Sequence, residues 1–243
     1  AVADLVDAFH RGLNSAGVLG CAKHFPGHGD TDQDSHLELP LISHARSRIE
    51  QLELVPFRRL IASGVASVMT AHLLIPALDP SQPATLSSAV LTDLLRTELG
   101  FSGLVVTDAL VMEAISRSMG PSEATVQAFA AGADLILMPA DADQAIDGIC
   151  TALAQGRIPE SRLSESLQRR TQALQRCDEV AGSETGLDLV TRADDELSME
   201  LVSSSLEIQG PLLAAHPEQD AVNLIRVDGT LPCAFLRTDA SAI

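Results

Sequence analysis

The sequence predicts an α/β fold of the (β/α)8 TIM-barrel type, of which this chain supplies half, four βα units. Three observations carry that expectation. Helix-like segments alternate with short apolar ones along the chain. Each apolar segment is bounded by glycine or polar residues, as parallel strands covered on both faces by helices are. The units recur every ~30 to 45 residues, so four of them fill about half of the ~250 residues that an eightfold barrel takes.

In the first unit Val2, Leu5, Val6, Phe9 and Leu13 recur at three- and four-residue spacings, one face of a helix that ends at Gly17 and passes into the strand GVLGCAKH. A polar loop from Pro26 to about Ser47 follows. The second helix, ELVPFRRLIA, closes at Ser63-Gly64 and leads into VASVMTAH. A helix from about Ser87 to Leu99 precedes GLVVTDAL, one from about Ser122 to Ala131 precedes ADLILMP, and another runs from about Asp143 to Gln155. Pro159 to Cys177, with Leu163, Leu167 and Leu174, reads as an amphipathic helix leaving the barrel. The expected domains are residues 1–180 for the half-barrel, a linker at 181–193, and 194–243 as the start of a truncated α/β sandwich domain. That last part holds a helix, DELSMELVSSS, and two strand-like runs, LEIQGPLL and AVNLIRV. A flavodoxin-like open sheet uses the same alternation, but it needs phosphate-binding glycines after its first strand, where this loop carries His and Asp.

Composition narrows the function. With 33 acidic against 16 basic side chains the net charge is −17, which repels phosphodiester backbones and argues against a nucleic-acid partner. No stretch reaches the ~18 uninterrupted apolar residues of a membrane span, and AVADLVDAFH is too polar for a signal-peptide core. A sequence that starts inside a helix leaves open whether the protein works in the cytoplasm, at the envelope or outside. Cys21, Cys150, Cys177 and Cys233 form no CxxC pair, so they are expected to be buried small hydrophobes and not zinc ligands or a disulfide framework. Trp and Tyr are absent, which weighs against a sugar site built from this segment alone.

In a parallel barrel the reacting groups sit at the C-terminal ends of strands and in the loops beyond them. Those ends hold Lys23, His24, Thr70, His72, Asp108 and Met138. The loop CAKHFPGHGDTDQDSHLELP packs three His and four acidic residues around two glycines and a proline, a polar density that folding does not require. A solvated loop with Asx turns is the bland alternative. Asp34 and His36 are two residues apart, close enough for the carboxylate to bond one ring nitrogen and set which nitrogen faces outward. Asp108 ends an apolar strand, where a carboxylate is costly unless it has a partner, a chemical role or a helix to cap. Lys23 and His24 are expected to bind substrate, with a surface lysine and a core histidine as the alternatives. His28 and Asp30 are expected to shape the loop. His72 is expected to pack against the loop, outside the catalytic set.

KHFPGHGDTDQDSH resembles the signature of the β-N-acetylglucosaminidases of glycoside hydrolase family 3, and VVTDALVMEAI resembles their nucleophile-bearing strand and turn. The resemblance covers roughly Ala1 to Cys177 as the second half of the family's barrel, and Asp194 to Ile243 as the start of a sandwich domain. It implies Asp108 as nucleophile, His36 as general acid/base, Asp34 as its partner, and Lys23 and His24 as holders of sugar hydroxyls. Nothing here matches the family's four preceding βα units, whose Asp and Arg bind the sugar. The implied reaction releases terminal β-linked N-acetylglucosamine with retention, from a small carbohydrate or muropeptide, without cofactor or metal. An imidazole with a reference pKa near ~6.5 can donate and then accept a proton around neutrality. Being uncharged when neutral, it also tolerates phosphate as acceptor. The other classes are a metal-dependent hydrolase using His24, His28, Asp30, Asp34 and His36, whose spacing fits no common zinc pattern, and a non-catalytic barrel fragment.

Overall fold

A computed structural model describes residues 1–180 and, further on, residues 196, 197, 199, 200, 203 and 204. The chain divides between Gly182 and Ser183 into two units. The six described residues of the second unit are helical. The linker expected at 181–193 and the runs LEIQGPLL and AVNLIRV lie outside the described residues.

Three parallel strands form the sheet, β1 (Cys21–Phe25), β2 (Ser67–Thr70) and β3 (Leu104–Val106), in the order β1-β2-β3. Ala22 aligns with Val68 and Val68 with Val105, so buried side chains stack in one layer across the sheet. The β1 ladder shifts register after Ala22 and resumes at Phe25, which faces Thr70. This register brings His24, His72 and Asp108 to the same end of neighbouring strands. The fourth expected strand, ADLILMP, touches β3 at one parallel bridge, Val106 to Leu135. Its ladder is interrupted because side chains take the backbone donors: the Asp134 carboxylate accepts Val105 N–H at 3.0 Å and Thr107 Oγ1 accepts Leu137 N–H at 2.9 Å.

Helices link and cover the strands: α1 (Val2–Ser15), α2 (Arg46–Gln51), α3 (Leu54–Ala62), α4 (Glu113–Ser116), α5 (Pro121–Ala131), α6 (Ala142–Ala154) and α7 (Glu160–Val180). Between β2 and β3 the helix expected from about Ser87 to Leu99 is present with a wider turn, and a short element precedes it. A 3-10 turn, Ala84–Leu86, leads into a π-helix, Ala89–Glu98, whose wide turn shows where Leu99 N–H donates to the Leu94 carbonyl at 2.9 Å. Helix α5 starts on Pro121, whose missing N–H costs nothing at that position. Helix α6 starts at Asp141, whose carboxylate accepts Gln144 N–H at 2.9 Å. The core gathers Phe25, Ile49, Leu54, Leu73, Leu91, Leu95 and Ile115, with Phe25 set edge-on to Phe57 at 5.2 Å.

One expectation fails, that of the cysteines; the facing of α1 is a question that periodicity leaves open. On α1 the apolar stripe is turned outward, with Val2, Leu5 and Phe9 exposed, while Asp7 and His10 are buried. Asp7 is held by Ser63 and, at 3.1 Å, by Arg59, so charge on α1 joins Val6, the stripe member packed against the core, in docking it on α3. The cysteines are not buried either: Cys21, Cys150 and Cys177 are free and exposed, Cys21 because it stands on the outer face of β1. Cys233 lies outside the described residues. Away from the strand ends, Asp134 is fully buried and binds Arg96 at 2.6 Å, with Arg162 and Arg169 each at 3.1 Å, which ties α7 to the π-helix. Burial pushes the Arg96 pKa down to about 10, so its guanidinium stays charged at neutral pH and compensates the buried carboxylate.

Candidate active site

The strand β1 alternates, burying Ala22 and Phe25 and leaving Lys23 exposed, with His24 between. The Lys23–His24 and Phe25–Pro26 peptides are both cis. His24 turns its Nε2 toward Asp108, 3.8 Å from Oδ2. This is beyond hydrogen-bond range, so the two groups border one small space without satisfying each other. Burial, the largest influence, pushes the His24 pKa down; Asp108 raises it, and Lys23, His28 and His36 lower it further. His24 is therefore neutral at neutral pH and offers one donor and one acceptor nitrogen.

Asp108 follows β3 by two residues, and its Oδ1 accepts the N–H of Ala109 at 2.8 Å. It caps no helix, since α4 starts five residues on behind Met112. The segment after it is held in place as well. Leu110 and Val111 N–H donate to the carbonyls of Leu137 and Met138, each at 3.0 Å. Met138 is exposed and takes a positive φ of 42°, unusual for a residue with a side chain.

Within the loop, Asp34 Oδ1 accepts both the backbone N–H of His36 at 2.9 Å and its ring Nδ1–H at 2.7 Å. These two bonds, the backbone one first, hold the Asp34 pKa below the usual carboxylate range. An ionised Asp34 can only accept, so Nδ1 carries the proton and Nε2 is the nitrogen that gains and loses one. The loop is fastened at its tip, where Glu113 N–H donates to the His36 carbonyl at 3.2 Å. It is fastened at its base too. His44 and Asp30 meet at 2.6 Å, Arg48 reaches Asp30 at 3.4 Å and also binds Glu53, and His28 meets Ser35 at 3.2 Å. Gly27, at φ 133°, lies against Glu53, where any Cβ would come within 2.8 Å of that side chain. His28 and Asp30 thus shape the loop, as expected.

The structure brings His24 and Asp108 together, keeps Asp34 and His36 as a local pair, and ties that pair's loop to the segment after Asp108. Lys23 sits near enough to His24 to lower its pKa. The five candidate metal ligands do not converge: His24 faces Asp108, His28 meets Ser35, Asp30 meets His44, and Asp34 and His36 hold each other. Among the described residues no cluster of three His, Cys, Asp or Glu is placed to hold a metal ion. A groove of about 740 Å³ between α1, α3 and β1 has Lys23, His24, His28 and Asp30 along its lining, but not Asp34, His36 or Asp108.

His72 departs from expectation. It is fully buried, with Nδ1 at 2.8 Å from Thr85 Oγ1 and Nε2 at 3.0 Å from the carbonyl of Ala109, next to Asp108. Thr85 is also missed by sequence reading. The signal that finds such residues is a polar side chain at a strand end, and that signal is weak when the partner lies in another unit.

Residues 1–173 match the N-terminal domain of glycosyl hydrolase family 3. A family 3 β-N-acetylglucosaminidase from Paenibacillus sp. str. FPU-7 shares the fold at a TM-score of 0.76 and 46% identity, over 88% of this chain and 43% of that one. The β-hexosaminidase A of Pseudoalteromonas piscicida is 42% identical over 180 residues, 65% of this chain and 30% of the relative. The β-hexosaminidase of Chromobacterium violaceum is 41% identical over 169 residues, 70% of this chain and 46% of the relative. The chain spans less than half the length of each. Its match to the family domain across both strand-end motifs places it: the chain belongs to glycosyl hydrolase family 3.

Proposed function

We propose that this chain carries the catalytic residues of a retaining glycoside hydrolase that releases terminal β-linked N-acetylglucosamine. The names of its relatives, β-hexosaminidase and β-N-acetylglucosaminidase, support that substrate class. Two observations carry the reading, a strand-end carboxylate that faces His24 across 3.8 Å and a loop imidazole oriented by Asp34. Asp108 Oδ1 is engaged by Ala109 N–H, which leaves Oδ2 as the attacking atom. His36 has its Nδ1–H fixed on Asp34, which makes Nε2 the nitrogen that transfers the proton.

In the first step Oδ2 attacks the anomeric carbon, the glycosidic C–O bond breaks, and the departing oxygen takes the proton from Nε2 of the His36 imidazolium. Asp34, ionised, stabilises that imidazolium before the transfer. In the second step neutral Nε2 removes a proton from water, whose oxygen attacks the anomeric carbon and returns Asp108 to its carboxylate. Lys23 and neutral His24 hold sugar hydroxyls beside Asp108. Peptidoglycan fragments are the natural substrate class this reading favours.

The full-length protein should release 4-nitrophenol from the β-N-acetylglucosaminide faster than from the β-glucoside, and proton NMR should show the β anomer of the sugar first. A first-formed α anomer would overturn the retaining mechanism. Preference for the glucoside would overturn the substrate class. Repeating the reaction in phosphate buffer identifies the acceptor, since a sugar 1-phosphate forms only when phosphate replaces water.

A further inference from the structure

We propose that His72 is a positioning residue for Asp108: as the Nε2–H tautomer, locked by Thr85 and Thr70, it grips the Ala109 carbonyl and so fixes the residue whose N–H holds the Asp108 carboxylate. The proposal builds on the reading of Asp108 as nucleophile.

Hydrogen-bond bookkeeping sets the tautomer. The Ala109 carbonyl can only accept, so Nε2, at 3.0 Å, carries a proton. Nδ1 then either accepts from Thr85 Oγ1 at 2.8 Å or, in an imidazolium, donates to it. The ring is fully buried and no carboxylate bonds it. Burial pushes its pKa down more than the Ala109 carbonyl and then Asp108 push it up, while His24 and His28 lower it further. The ring is neutral, Thr85 gives its one proton to Nδ1 and not to the Ala71 carbonyl at 3.0 Å, and Thr70 donates to Thr85 at 2.8 Å. The chain of donors therefore runs one way, Thr70 to Thr85 to His72 to Ala109, and every member of it is buried up to the ring.

Its end is the residue that follows the nucleophile. Ala109 gives its N–H to Asp108 Oδ1 at 2.8 Å and receives the His72 proton on its carbonyl at 3.0 Å. The gripped carbonyl belongs to the peptide that follows, which Leu110 N–H also ties to the Leu137 carbonyl at 3.0 Å. Loss of the His72 bond leaves that peptide held on one side only, so that Ala109 can shift and with it the N–H that sets how Oδ2 faces the anomeric carbon. Strand β2 supplies no reacting group of its own; through this network it carries rigidity from the core to β3.

The test compares His72→Gln with His72→Asn in the full-length protein. Both amides are uncharged and polar, but only glutamine places its N–H near the site of Nε2. The expected kcat of His72→Gln is within about threefold of wild type, and that of His72→Asn is down ~10- to 100-fold with KM nearly unchanged, the pattern of misplaced reacting groups. Thermal unfolding of each variant separates positioning from loss of fold. Equal kcat in the two variants overturns the proposal. Asp108→Ala in the same assay tells which reading failed, because full activity there removes the nucleophile assignment and the positioning role with it. Imidazole 15N NMR adds a readout that needs no turnover: at neutral pH His72 should show the neutral Nε2–H pattern, and an Nδ1–H pattern contradicts the proposal.

Discussion

His36 and His72 carry the same imidazole in opposite surroundings. His36 is 45% exposed and takes its orientation from a carboxylate two residues away. His72 is fully buried and bonds to residues 13 and 37 positions along the chain. The first arrangement suits a group that must meet solvent, exchange a proton and approach a substrate. The second suits one that must not move. In this chain, chemistry that turns over is assigned to a local motif on a loop, and the geometry it depends on is assigned to contacts between strands.

That contrast can be broken by mutation. Asp108→Ala is expected to have the largest effect, because in the proposed mechanism both imidazoles act on the reaction of its carboxylate. Turnover should fall at least ~10³-fold on good and poor leaving groups alike, and stopped assays with 4-nitrophenyl and disaccharide substrates check it. His36→Ala should cost ~10²- to 10⁴-fold on a disaccharide and much less in the first step on an acidic phenol, which departs without a proton. Azide should accelerate that variant, since it attacks the glycosyl-enzyme without a base. Equal losses on both leaving groups would take the acid role away from His36.

Stability sharpens the same comparison. Burial holds the His72 pKa below the ~6.5 of a free imidazole. As pH falls below ~6.5 the unfolded chain binds a proton that the folded one does not, so stability drops until the folded pKa is reached. The unfolding temperature of wild type should decline more steeply through this range than that of His72→Gln; His24, shifted the same way, keeps its share in both. Asp34 gives the smallest effect and the opposite acid limit. Its pKa is depressed by the His36 hydrogen bonds, so its contribution is present above ~4 and is lost as pH falls through the lower folded value. With both partners nearly half exposed, Asp34→Asn should lower the unfolding temperature only slightly at neutral pH, with the difference vanishing in acid, while its activity loss resembles a milder His36 defect.

What can be read from sequence follows the same division. The βα rhythm and the Asp34–His36 pair are local patterns, and both sit where their spacing puts them. Helices α2 and α4 are too short to leave a hydrophobic period, and sequence patterning reveals neither. The outward stripe of α1 shows the other limit: periodicity says that Val2, Leu5 and Phe9 share a face, but not what that face meets. Asp7 finds Ser63 and Arg59 more than fifty residues away, and this tertiary pairing joins Val6 in deciding which side docks. ADLILMP has the composition of a strand, yet Asp134 and Thr107 take up backbone partners through side chains that hydropathy does not describe. His72 is illegible in the same way, because its role exists only when Thr85 and Ala109 have been folded against it.

The central claim is that Asp108 forms the covalent bond to the sugar. A slow fluorinated N-acetylglucosaminide with a good leaving group should trap that species on the full-length protein, and peptide mass spectrometry should place the added sugar mass on Asp108 in the stretch VVTDALVMEAI. An adduct on any other residue, or burst release of the leaving group with no adduct at all, would contradict the account.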